Sequence, residues 1–130
     1  ASAQAVALMS HYFLYDLGEK KDLSAYLEAH IEGDWTEKWQ NEVSMHAKDA
    51  VLAALTVLKT HNTLSEILKS AVNFGGDVDT VATIALACAA CSKEIKNDLP
   101  NWTYTDLENG TYGLDYISLL DKQILALKKN

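Results

Sequence analysis

The densest group of reactive side chains in the sequence is Gly75-Gly76-Asp77-Val78-Asp79-Thr80. Two carboxylates and a hydroxyl fall within four residues, ahead of an apolar stretch, Val81 to Ala90. Oxygen donors of this kind are hard ligands, suited to magnesium, calcium or manganese. Two such ions close together can share a bridging carboxylate and clamp a water. The paired glycines reach backbone angles closed to other residues and leave space beside the chain. The same residues also have a plainer use. Asp77 is placed to be an N-cap and Asp79 falls in the first turn, where negative charge suits the helix end. Asp-x-Asp spacing alone favours that plainer use. Position favours the metal, since two acids beside an apolar helix are costly unless neutralised.

Other reactive types are poorer candidates. Cys88 and Cys91 have CxxC spacing, but they lie far from the helix start, where a dipole would favour a thiolate. They read as small buried core residues. His11, His30, His46 and His61 form no HxH or HxxxH pair, so zinc is a poor fit. Trp35, Trp39 and Trp102 read as half-buried packing residues with a hydrogen-bonding tip. Glu42 and Glu66 read as solvated or capping. Asn101-Trp102-Thr103 and Asn109-Gly110-Thr111 match glycosylation acceptors by chance in a chain without a secretory signal.

The elements that must position the Asp77 segment are helical. Val6, Met9, Phe13, Leu14 and Leu17 recur at helical spacing, with Gly18 as the C′ stop. Leu23, Tyr26, Leu27 and Ile31 predict a second helix, with Asp22 as N-cap, broken at Gly33-Asp34. Thr36 is expected to cap a third stretch through Trp39 and Val43, continuing into Ala47, Val51, Ala54, Leu55 and Leu58. His61-Asn62 reads as its stop. Thr63 and Glu66 form a capping box for a helix carrying Leu64, Ile67, Leu68, Ala71 and Val72. The helix from Val78 to Ser92 is apolar on nearly every side and is expected to be the buried central one. Asn101 to Gly113 reads as loop with one turn at Asp106. Ile117, Leu120, Ile124 and Leu127 mark a last amphipathic helix ending in lysines, which suits its dipole.

Composition sets the outer bounds. The 130 residues are 48% hydrophobic and 22% charged, as in an ordinary globular domain. Eleven basic residues, all lysine, face 18 acidic ones, for a net charge of −7. Without arginine for bidentate phosphate reading, nucleic-acid binding is a poor fit. No run of 18 apolar residues predicts a membrane span. Two cysteines and no signal peptide predict a reducing, cytoplasmic setting. Ala1 stands where an initiator methionine would, inside a helical pattern, which predicts a cut or processed polypeptide.

The segment Asn73-Phe74-Gly75-Gly76-Asp77-Val78-Asp79-Thr80-Val81-Ala82 resembles the signature near the C-terminus of the ADP-ribosylglycohydrolase family, relatives of dinitrogenase reductase-activating glycohydrolase. Val51 to Leu55 and Thr63 to Val72 resemble the helix pair preceding that signature. Leu99-Pro100-Asn101-Trp102 resembles the family's proline-tryptophan turn, and Ala3 to Leu17 a helix from the middle of its members. The resemblance implies an all-α, multi-helix bundle of about six helices, comprising residues 1–130 as the C-terminal part of a single, incomplete domain.

It also implies cleavage of the glycosidic bond joining ADP-ribose to a protein side chain or small molecule, with two Mg2+ or Mn2+ ions. Asp77, Asp79 and Thr80 match metal ligands, Asp79 as the bridge, with Gly75 and Gly76 shaping the loop. The family's further ligands lie in a Thr-Asp-Asp segment near its N-terminus, with a catalytic glutamate. No such segment occurs here; Thr105-Asp106-Leu107 is the nearest string. Val78 stands where the family has a small polar residue. The base is therefore expected outside this chain, which alone is expected to be inactive and to self-associate or pair with the missing N-terminal half. The rival expectation is a non-catalytic helical interaction module with a vestigial metal signature; a weaker one is a single-ion magnesium or calcium module.

Overall fold

The structure, a computed structural model, describes residues 1–127. It is all-α: seven α-helices and one 3-10 turn among the described residues, one helix more than the spacing predicts. The chain forms two compact units, Ala1–Asp98 and Leu99–Asn130.

The first unit holds α1 (Ser2–Leu14), a 3-10 turn (Lys20–Asp22), α2 (Leu23–His30), α3 (Ala47–Thr60), α4 (Leu64–Asn73) and α5 (Val78–Ala90). The central helix is α3, not α5. Eight of its 14 residues are buried, and it packs against α1, α2, α4 and α5. Leu52, Leu55 and Leu58 fill the core from it. On α5 only Val81, Ala85, Cys88 and Ala89 are buried, while Thr83, Ala87 and Ala90 are exposed. An alanine-rich helix scores as apolar whichever way it faces, so its composition says little about its depth.

Helix α1 ends earlier than Gly18. Asp16 takes the left-handed turn at φ +54°, and Leu17 N–H donates to the Tyr12 carbonyl at 3.0 Å. Aspartate tolerates that region better than most residues. Asp22 occupies the N-cap position of α2 without a side-chain capping bond, because the 3-10 turn already leads into the helix. The expected third stretch through Thr36, Trp39 and Val43 is not helical. Residues 32–45 form an irregular strap whose backbone groups bond elsewhere: Trp35 N–H to Glu28 Oε1 at 3.2 Å, and Trp39 N–H to Thr56 Oγ1 at 2.9 Å. Trp35 is fully buried rather than half-buried, and its Nε1 has no hydrogen-bond partner.

The start of α4 follows its sequence closely. Thr63 Oγ1 accepts from Glu66 N–H at 3.3 Å. Glu66 reaches back to Asn62 N–H rather than to Thr63 N–H. Leu64, Ile67 and Ala71 are buried and Val72 is half exposed. Asp98 adds a second cap, accepting from Ser65 N–H at 2.9 Å and Ser65 Oγ at 2.5 Å.

In the second unit α6 (Trp102–Thr105) forms the turn expected at Asp106, which is its C-cap instead. Helix α7 (Leu114–Leu127) carries no buried residue. The lysines predicted to end it, Lys128 and Lys129, lie outside the described residues.

Candidate metal centre

The loop between α4 and α5 is built by its glycines. Gly75 and Gly76 both have φ +76°, which an L side chain rarely adopts. Val43 from the strap locks onto them as a one-residue parallel bridge. Its N–H donates to the Gly75 carbonyl at 3.0 Å, and its carbonyl accepts from Asp77 N–H at 3.0 Å. A Cβ at Gly76 would overlap the Val43 carbonyl oxygen. Val78 N–H closes the turn onto the Gly76 carbonyl at 2.8 Å.

This loop delivers Asp77, Asp79 and Thr80 to the first turn of α5. Asp77 holds the N-cap position, but its carboxylate makes no bond to the backbone N–H groups of that turn. Asp77 Oδ1 instead accepts from Thr80 Oγ1 at 2.9 Å. Asp77 is half-buried; Asp79 and Thr80 are exposed. The structure thus brings Asp77 and Thr80 together and leaves Asp79 beside them, open to solvent.

Glu42 is the residue that sequence reasoning did not connect to this place. A Cβ at Gly76 would stand 3.0 Å from its Cγ, so its stem lies over the glycine pair. No motif announces this, because the strap sets it. Even so, no group of three His, Cys, Asp or Glu side chains able to hold a metal gathers among the described residues. The donors present fit a hard cation in type, two carboxylates and a hydroxyl, but fill only part of the six or more positions that such ions prefer.

The remaining candidates fall elsewhere. Cys88 is buried within 3.4 Å of Ser10 Oγ, and burial pushes its thiol pKa up. Cys91 is only half-buried, against expectation, because it falls at the C-cap of α5. His61 Nε2 hydrogen-bonds Ser70 Oγ at 2.7 Å, and His30 Nδ1 pairs with the Tyr26 carbonyl.

Fold and site together define an all-α protein with an oxygen-donor cluster at the mouth of a helix, on a glycine-built loop. That class narrows by comparison. The chain belongs to the ADP-ribosylglycohydrolase family, whose model matches residues 1–129. The family is one of dimetal hydrolases. No curated protein and no solved structure matches the chain. No helix of the described residues is long and apolar enough to cross a membrane.

Proposed function

We propose that this chain is the C-terminal portion of an ADP-ribosylglycohydrolase-like dimetal hydrolase acting on ADP-ribosylated protein or ADP-ribose-containing small molecules. The observation that carries the reading is the Asp77–Thr80 pair beside Asp79, on a loop that only glycine can build, inside a family match over residues 1–129. Asp77, Asp79 and Thr80 would hold the metal from this side, magnesium or manganese by donor type. When bound, the metal pair supplies a polarised water and a grip on ribose hydroxyls. The protein's own part is positioning. Gly75 and Gly76 hold the loop tightly against Val43, and α5 directs its partial positive end toward the carboxylates.

The remaining ligands and the base belong to a Thr-Asp-Asp segment and an acidic residue supplied from outside these 130 residues, upstream or on a second chain. The chain alone is then inactive, and pairing with that half, or self-association, completes it. Exposed Leu119, Ile124 and Leu125 in the second unit support a need for cover. Two free cysteines are in keeping with a cytoplasmic setting.

The test is hydrolysis of an ADP-ribosylated substrate by the complete protein. Asp77→Ala with Asp79→Ala is expected to abolish turnover; normal turnover by that variant overturns the assignment. The rival reading is a non-catalytic helical module with a vestigial metal signature, in which the Thr80–Asp77 hydrogen bond is a helix-end contact only. A complete protein that binds neither Mn2+ nor ADP-ribose would decide for it.

A further inference from the structure

In the second unit, the loop between α6 and α7 carries Asn109-Gly110. Asparagine is thermolabile, and a following glycine leaves the attacking nitrogen unshielded. In that reaction the Gly110 amide nitrogen attacks Asn109 Cγ. The Cγ–Nδ2 bond breaks, the Gly110 proton passes through solvent to the departing nitrogen, and ammonia leaves a five-membered imide. Water opens the imide at either carbonyl, giving aspartate or isoaspartate. The fold holds both reacting groups out of this step. Asn109 Oδ1 accepts from Asp115 N–H at 2.9 Å, and Asn109 Nδ2 donates to Asp115 Oδ2 at 2.9 Å, so the whole side-chain amide is paired with one residue at the start of α7. Gly110 N–H, the nucleophile, donates to Glu108 Oε1 at 2.5 Å. A carboxylate is far too weak a base to strip a backbone amide, so this contact fixes the nitrogen rather than activating it. A Cβ at Gly110 would overlap that carboxylate oxygen, so only glycine admits the contact. Backbone bonds close the same loop: Gly113 N–H to the Gly110 carbonyl and Leu114 N–H to the Glu108 carbonyl, both at 3.1 Å.

Attack needs the nitrogen and Cγ at about 3–3.5 Å, with the side-chain amide free to turn. That freedom comes only when the Asn109–Asp115 pair opens. Glu108, Asn109, Gly110 and Asp115 are all exposed, so the opening unpacks no core and belongs to the low end of local stability. The product cannot restore the pair. An aspartate offers no N–H to Asp115 Oδ2, and it sets a new carboxylate against those of Asp115 and Glu108. We propose that Asn109 is a deamidation site gated by the start of α7: the Asp115 pair protects it while closed, and conversion to aspartate or isoaspartate holds the loop open afterwards. The site does not involve the Asp77 loop and stands whether or not the chain belongs to a working hydrolase.

The experiment ages the folded protein at neutral pH beside a synthetic peptide of residues 105–113 at the same temperature. Mass spectrometry of the digest follows position 109 and separates aspartate from isoaspartate. The parent is expected to convert about tenfold or more slowly than the peptide, and Asp115→Ala, on an exposed side chain, to bring the rate up toward the peptide's. Urea that unfolds the parent should make it match the peptide in the same urea, which keeps the test decisive if Asp115→Ala unfolds. Asn109→Asp, the product made directly, should speed amide hydrogen exchange at Leu114 and Asp115 several-fold. A folded parent that converts as fast as the peptide overturns the gate. So does a folded Asp115→Ala protein that converts no faster than the parent. Unchanged exchange in Asn109→Asp overturns the lasting opening.

Discussion

Gly76 and Val43 meet so closely that residue 76 has no room for a Cβ: the Val43 carbonyl oxygen occupies its place. That contact holds the strap to the loop that carries Asp77. Gly76→Ala must therefore break the Val43 bridge or bend the loop, and it must also place an alanine at φ +76°. The expected cost is about 2 kcal/mol or more, from the clash and the left-handed backbone together. Thermal unfolding checks it, as a fall in Tm of several degrees. Gly75→Ala is expected to cost less, because its Cβ would meet only Glu42 Cγ at 3.6 Å. Equal losses at both positions would remove the bridge from the explanation.

The Thr80–Asp77 hydrogen bond links the hydroxyl and the half-buried carboxylate of the proposed site. Thr80→Val removes it where water can replace it, so stability should change by less than about 1 kcal/mol. Metal affinity should respond far more. In the complete protein, Thr80→Val and Asp79→Asn are each expected to weaken Mn2+ binding by about tenfold or more, equivalent to ~1.4 kcal/mol. Thr80→Ser restores the hydroxyl and should restore most of the affinity. Calorimetric titration with Mn2+ measures all three. Unchanged affinity in Asp79→Asn would make the carboxylate a helix-end charge only.

Some of this was legible in the sequence because it is local. Thr63 and Glu66 mark the start of α4, and the glycine pair marks its end, because capping and left-handed backbone are short-range demands. The strap was illegible for the opposite reason. Thr36, Trp39 and Val43 stand at near-helical spacing, yet Trp39 N–H is taken by Thr56 and Val43 by Gly75 and Asp77, partners 17 to 34 residues away. Long-range backbone bonds of this kind override local periodicity. The depth of α5 was misread because Ala82, Ala87 and Ala90 carry no information about facing. Of the candidate site, the ligand types were on view in the sequence; the Glu42 stem over the glycines was not, since it depends on where the strap runs.

Asp98 ties the end of the first unit back to the start of α4. Its carboxylate accepts from both the hydroxyl and the backbone N–H of Ser65, and these bonds hold its pKa below the usual carboxylate value. A carboxyl with a lowered folded-state pKa binds its proton more readily in the unfolded chain. Its stabilising effect is thus fully present above the unfolded value, near 3.8, and is lost as pH falls through the lower folded value. Asp98→Asn should be less stable than the parent at pH 7, and the gap should close on acidification below about pH 4. Urea unfolding across that range checks it. A gap independent of pH would show that Asp98 acts through shape, not charge.

The two cysteines should part company under alkylation. Cys88 is buried in the α1–α5 contact, and burial raises its thiol pKa, so little thiolate is present or reachable near neutral pH. Cys91, one turn on, is only half-buried at the end of α5. Iodoacetamide on the folded protein should modify Cys91 first, with Cys88 protected until the unit opens. Mass spectrometry of the digested protein reads the order, and the rate at Cys88 reports how often α1 and α5 separate. Leu58→Ala supplies the control. That leucine is fully buried on α3, and its truncation should cost about 2–5 kcal/mol. A loosened core should raise the Cys88 rate sharply and leave the Cys91 rate nearly unchanged. If Cys88 instead reacts as fast as Cys91 in the parent protein, the α1–α5 contact opens locally without unfolding of the α3 core.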